Sequence, residues 1–300
     1  MIFEADLLAD RRRLRRRVAW WRAAAILIAV GAVVAAIESY VRPVTGDRLA
    51  RLNVDGIIVS DPERDAALAA LGDDDDIRAL VVRIDSPGGT FGGGETLYES
   101  LRAVAAKKPV VAVMGDVATS AAYMTAIATD RIFAHRGTIT GSIGVIWQTV
   151  DVSGLLAELG ITTEALRSGP LKARPTPLEP LTEPVRAVVQ HLVDDMYDLF
   201  VDMVMTRRAL DEPTVRRLAD GRVYSGREAL GIRLIDAIGG EVEARAWLAD
   251  EHGVAEDLPI TDLTWGEDDA DMFRDILGLS GKTLLPETLI LDGLVSVWHP

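Results

Sequence analysis

Residues 77–84, Ile-Arg-Ala-Leu-Val-Val-Arg-Ile, run directly into Asp85-Ser86-Pro87-Gly88-Gly89. An apolar, β-branched run of this length, closed by a Pro-Gly-Gly turn signal, predicts a buried strand ending at the double glycine. The same grammar recurs on both sides. Upstream, residues 48–59 (RLARLNVDGIIV) predict a strand with Gly56 as a bulge, and residues 62–71 a short helix capped by Asp61. Downstream come helix 92–106, strand 109–114, helix 119–129, strand 131–134, strand 145–149, helix 151–159 and strand 161–166. Strands alternating with helices predict an α/β fold on a largely parallel sheet.

Further along, apolar residues at helical spacing predict one long helix over 181–208, whose three methionines suit core filling or a subunit contact. Short helices are expected at 212–219 and 226–231, a brief strand at 234–236 and a helix at 241–252. Beyond residue 255 the pattern weakens into an acidic stretch, 267–271, and an apolar piece, 284–298. That last piece reads as a docked helix or a membrane-proximal contact. Four adjacent aspartates, Asp73–Asp76, repel one another and carry no other ligand type, so they read as a solvated loop and not as a metal site. No cysteine is present, which removes disulfides and thiolate metal sites; neither metal nor cofactor is expected.

The formal charge is −14, unevenly spread. Residues 1–22 hold seven arginines against Glu4, Asp6 and Asp10, so the remainder is more acidic than the whole. Such a body repels phosphates, which argues against nucleic acid as a partner. The basic head meets an uncharged apolar run, residues 23–37, flanked by Trp20 and Trp21. About twenty apolar residues cross a bilayer as a helix, and the arginines hold the N-terminus in the cytoplasm. The expected organisation is a basic cytoplasmic head (1–22), a transmembrane anchor in contact with lipid (23–41), an exported domain (42–254) and an extension (255–300). A cleavable signal peptide ending near Val34-Ala35-Ala36 is the alternative, and it exports the body equally.

Ser120 follows strand 109–114 and opens a helix, where reactive groups of parallel sheets gather. It equally reads as a helix cap. Among 28 arginines and four lysines, Lys172 stands in a loop, Ser168-Gly169-Pro170-Leu171-Lys172, with no carboxylate beside it. An arginine stays protonated, whereas a desolvated lysine amine can act as a base; an exposed loop lysine is the plain alternative. Backbone amides at Gly89 and Ala121 are candidates for holding a developing oxyanion. A histidine triad is the competing chemistry, and only His135 of the four histidines lies near the reactive segment.

Five segments together, Ile84-Asp-Ser-Pro-Gly-Gly89, Gly115-Asp-Val-Ala-Thr-Ser120-Ala-Ala-Tyr123, Ile139-Thr-Gly-Ser142-Ile-Gly-Val145, Ser168-Gly-Pro-Leu-Lys172 and Gly221-Arg-Val-Tyr-Ser-Gly226, resemble the signal peptide peptidase A (SppA) family of membrane serine peptidases. The likeness spans about residues 50–250 and is similar to SohB-type peptidases as well. It implies a crotonase/Clp-like ββα superhelix, with Ser120 as nucleophile, Lys172 as general base, Gly89 and Ala121 as oxyanion amides and Ser142 bonded to the lysine amine. It further implies peptide substrates such as released signal peptides and a single-pass protein of the bacterial inner membrane. A homo-oligomeric ring is implied too, an octamer being one closed form, with sites completed between neighbours. Ala121-Ala122 stands where many members carry Gly-Gly. A silent scaffold ring and a crotonase-type acyl-CoA enzyme are the other readings of this fold.

Overall fold

Strand β1 (Arg48–Ile58) lies parallel to β2 (Ile77–Thr90), and the parallel order continues through β3 (Val110–Thr119), β4 (Arg131–Ala134) and β8 (Ala237–Ile238). Helices α1 (Pro62–Gly72), α2 (Phe91–Ala105) and α3 (Ala121–Ile127) connect the first four strands. The structure is a computed structural model that describes residues 20–22, 24–29, 31–32, 46–265 and 294–297. One sheet face carries Leu52, Val82, Ile84 and Met114 against Leu97, Leu101 and Met124, and against Phe200 and Val204 of α5 (Glu183–Arg208). The other face sets Val81, Val111 and Phe133 under Ala244 and Leu248 of α8 (Glu241–His252). With both faces covered, the central strands read as continuous apolar runs. Each fully buried Leu, Val, Ile or Phe contributes about 1.5–3 kcal/mol.

The strands run further than their glycines suggest. β2 does not stop at the double glycine; it continues to Thr90 because Gly88 and Gly89 pair with Ile57 and Ile58 of β1. A Cβ on Gly89 would lie 1.8 Å from the Ile58 carbonyl oxygen, so glycine lets β1 approach this closely. Likewise β3 continues to Thr119, and its helix starts at Ala121. Gly56 is the bulge expected, at φ +67 with a register shift beside it.

Three expected elements are placed differently. No strand forms over 161–166; these residues find no pairing partner, and none of residues 144–184 is buried. Within that stretch α4 covers only Ser153–Glu158 and β6 only Ile146–Trp147. The strand expected at 234–236 lies at Ala237–Ile238, because the Asp236 carboxylate is committed to the Ile132 N–H (2.8 Å) and to Arg208. Where it is described, the apolar C-terminal piece is a strand and not a helix. Leu294–Val297 forms β10, antiparallel to both β2 and β6. The aspartate loop is not simply solvated either: Asp74 and Asp76 pair with Arg48, and Asp73 with Lys107.

Residues 20–22, 24–29 and 31–32 are helical. Among the described residues no helix is long and apolar enough to cross a membrane. The rest of the basic head and residues 23, 30 and 33–41 of the expected anchor lie outside the described residues. The chain clusters into two units, 1–46 and 47–300. In the second unit, β9 (Ile260–Asp262) adds parallel to β1, so the sheet reaches past residue 254.

Asp61 locks this extension down. Its carboxylate accepts the N–H groups of Glu63 and Arg64, capping α1, and the Trp265 indole N–H at 2.7 Å. Burial pushes this carboxyl up, but the Arg64 amide and the indole outweigh that and hold it below the usual range. Its contribution is therefore present above the unfolded carboxyl's range and is lost as pH falls through the lowered folded value. Asp61→Ala is expected to cost about 1–2 kcal/mol, whereas Asp61→Asn, which keeps an acceptor, costs much less. Urea titration of the two variants measures the difference.

Candidate active site

Strands β2 and β3 run in step as far as Ile84 and Met114, and the next matched pair is Ser86 with Ala118. Residues 115–117 thus stand opposite the single Asp85. The Asp85 carboxylate accepts the Val117 N–H at 3.1 Å, replacing a ladder bond that the bulge removes. Past the bulge, β3 pairs with β5 (Ile139–Gly141), and the Thr119 hydroxyl donates to the Pro87 carbonyl at 3.1 Å. The Asp-Ser-Pro-Gly-Gly and Gly-Asp-Val-Ala-Thr-Ser segments are therefore stitched together at one end of the sheet.

Ser120 ends this path at φ 58, ψ −118, a region that side-chain-bearing residues seldom occupy. Its N–H donates to the Gly141 carbonyl at 2.8 Å, and its own carbonyl accepts the Met124 N–H at 2.9 Å, the first turn of α3. Those bonds hold a conformation costing about 1–3 kcal/mol. The residue is buried, and its side chain makes no capping bond to α3. Capping is thus not what this serine does. A strained strand-to-helix turn is how α/β-hydrolases present a nucleophilic serine. Tyr123, fully buried in α3, donates to the Leu234 carbonyl at 2.9 Å; burial raises its phenol far above the ordinary range, so it stays protonated.

Ser142 lies beside this turn, since Gly141 is the residue that binds the Ser120 N–H. Ser142 also has a positive φ, 49, and its N–H donates to the Arg222 carbonyl at 2.8 Å. Behind it, β7 (Val223–Ser225) runs antiparallel to β5, with the Tyr224 ring 2.7 Å from where a Gly141 Cβ would stand. Ser225 and Glu228 form a capping box on α7 (Gly226–Gly231). The Gly221–Gly226 motif is therefore a brace for the Ser142 turn, a role sequence reasoning missed; the Gly141 requirement was its only signal. Gly89, Ser120, Ala121 and Ser142 all meet at this end of the sheet.

Lys172 does not join them within one chain. It is exposed, its N–H donates to Gly169, and its side chain makes no hydrogen bond or ion pair among the described residues. Its loop is held by Glu179, which pairs with both Arg167 and Arg174. Leu166, Leu171 and Leu178 around it are exposed, Leu166 by 94%. His135 opens elsewhere, on a cavity of about 620 Å³ lined by Arg83, Asp85, Asp116 and the start of α8. Among the described residues no three His, Asp or Glu side chains are grouped to hold a metal ion.

The strain at Ser120 has a measurable sign. At an ordinary position Ala is more stable than Gly by about 0.4–1 kcal/mol. At φ 58, ψ −118 the order reverses: Ser120→Gly is expected to exceed Ser120→Ala in stability by about 1 kcal/mol. Thermal unfolding of the two variants gives the comparison; Ala above Gly shows an unstrained turn.

The model of Peptidase family S49 matches residues 102–255. The Synechocystis sp. protein slr0021, a protease by name, is 35% identical over 249 residues, covering 79% of this chain and 90% of its own. The chloroplastic serine protease SPPA of Arabidopsis thaliana is 31% identical over 223 residues, covering 73% of this chain and 32% of its own. A solved ClpP1 point mutant from Listeria monocytogenes overlaps at TM-score 0.42 and 15% identity, covering 63% of this chain and 91% of its own. With the α/β sheet and the Ser120 turn in place, the family model and the sequence relatives make the chain a member of peptidase family S49, the SppA family of serine peptidases.

Proposed function

We propose that the chain is a membrane-anchored serine endopeptidase with a Ser120–Lys172 dyad on a crotonase/Clp-like ββα superhelix. It cuts extended hydrophobic peptides, such as released signal peptides, at the outer face of the bacterial inner membrane. The observation that carries this proposal is the buried Ser120 turn, strained and fixed by backbone bonds beside Gly89 and Ser142. The anchor rests on the apolar run after the basic head.

In the proposed reaction the neutral Lys172 amine takes the hydroxyl proton of Ser120 as Oγ attacks the scissile carbonyl carbon. The carbonyl oxygen becomes an oxyanion, received by the N–H groups of Gly89 and Ala121; one such donor typically contributes about 2.7–4 kcal/mol. The lysine returns the proton to the departing amine nitrogen, and water then releases the acyl group from Ser120 by the same steps. The Ser142 hydroxyl orients the lysine amine.

Because Lys172 is exposed in the single chain, the base is proposed to come into place on assembly into a homo-oligomeric ring. Support comes from residues 144–184, none of which is fully buried within one chain and which expose Leu155, Leu159, Ile161 and Leu166. Such an apolar surface suits a contact between subunits.

Ser120→Ala and Lys172→Ala are each expected to abolish hydrolysis of a fluorogenic hydrophobic peptide, and a fluorophosphonate is expected to label Ser120 in the unaltered protein. Unfolding and remixing the two inactive variants tests the source of the lysine. A base from a neighbour restores roughly a quarter of the activity by random assortment around a ring. No recovery places both groups in one subunit, and full activity of Lys172→Ala removes the lysine from the chemistry.

A further inference from the structure

One cluster of charged side chains within residues 144–184 is half-buried. Glu179 Oε1 accepts from the Arg167 guanidinium at 2.8 Å, and Oε2 accepts from the Arg174 guanidinium. The three side chains are between 19% and 21% exposed, in a stretch that otherwise faces solvent. Single exposed ion pairs contribute little, but two guanidinium groups sharing one carboxylate form a charge-assisted network. The network also encloses something. Arg167 and Arg174 flank residues 168–173, and Lys172 lies inside that segment. Fastening both flanks to one carboxylate closes the segment into a loop and removes the freedom of its ends.

Three features say that the cluster sets geometry and does not merely add stability. Ala173, next to Lys172, has φ 55 despite carrying a side chain, a conformation that persists only where its surroundings over-determine it. Those surroundings are the turn in which the Lys172 N–H donates to the Gly169 carbonyl at 3.2 Å and the Glu179 network that closes around it. Second, the Arg174 Nε is buried with no acceptor among the described residues, which detracts from stability. Third, arginine engages both Glu179 oxygens, so the carboxylate is not left to pair with Lys172. An amine paired with a carboxylate holds its proton and is a poor base.

We propose that Glu179 is a positioning residue for the general base: by taking Arg167 on one oxygen and Arg174 on the other, it pre-forms the Lys172 loop within each chain, so that assembly delivers an amine already in place. This rests on the Ser120–Lys172 reading of the site. Misplacing a reacting group by about 1 Å costs up to about 100-fold in rate. Loss of the network is therefore expected to act on kcat and to leave KM, which reports peptide binding, where it is.

The test compares Glu179→Gln with Glu164→Gln in the full chain. Glu164 is an exposed carboxylate of the same stretch with no ion pair among the described residues, so its variant removes the same charge without touching the network. Glu179→Gln is expected to lower kcat on a fluorogenic hydrophobic peptide by about 10- to 100-fold, with KM and the mass of the assembled particle unchanged. Glu164→Gln is expected to leave all three unchanged. Hydrogen exchange is expected to quicken in Glu179→Gln at residues 168–178 and not in β1–β4. An unmoved kcat, a loss accompanied by failed assembly, or exchange that quickens across the sheet as well overturns the inference. Full activity of Lys172→Ala removes the dyad reading instead; faster exchange confined to 168–178 then keeps the loop closure and strips it of a catalytic purpose.

Discussion

One carboxylate decides how the functional end of this sheet is built. Asp85 faces three residues of β3, and its oxygen takes the Val117 N–H that has no strand partner at the bulge. A hydrogen bond to a charged acceptor contributes about 1.5–3 kcal/mol, enough to hold an irregular pairing in an otherwise regular ladder. Two consequences follow from the extra length of β3. Its last residues shift onto β5, which delivers Ser120 to the Gly141 carbonyl, and the β2 edge beyond Ser86 is released to another strand. The Ser120 turn and the pairing of β2 with β10 are products of the same bulge.

What the sequence made legible were elements whose cause is local. Strand 131–134 and helices 226–231 and 241–252 appear as read, because their periodicity and flanking residues suffice. Where partners decide, local signals mislead. Pro-Gly-Gly looks like a turn, yet two neighbouring strands keep it extended; residues 161–166 look like a strand, yet nothing pairs with them. In the candidate site the motifs nominated Gly89, Ser120, Ala121 and Ser142 as candidates, while the bracing by Tyr224 and the bond from Ser120 to Gly141 depend on strand register, which spacing does not encode. The apolar C-terminal piece carried no sign that it would pair as a strand, since a four-residue strand is defined by its edges more than by its composition.

The two halves of the proposed dyad are supported by different physics. Ser120 is fixed by main-chain bonds inside one chain, in a turn whose strain the surrounding sheet over-determines. Lys172 is exposed on a stretch with no fully buried residue, where its amine keeps its hydration. Moving that amine into a dry cleft costs several kcal/mol unless something offsets the loss. In the proposed ring, the exposed leucines of residues 144–184 supply the offset, each contributing about 1.5–3 kcal/mol when covered. Assembly would then govern the base, while the Ser120 turn is held within each chain by its own main-chain bonds.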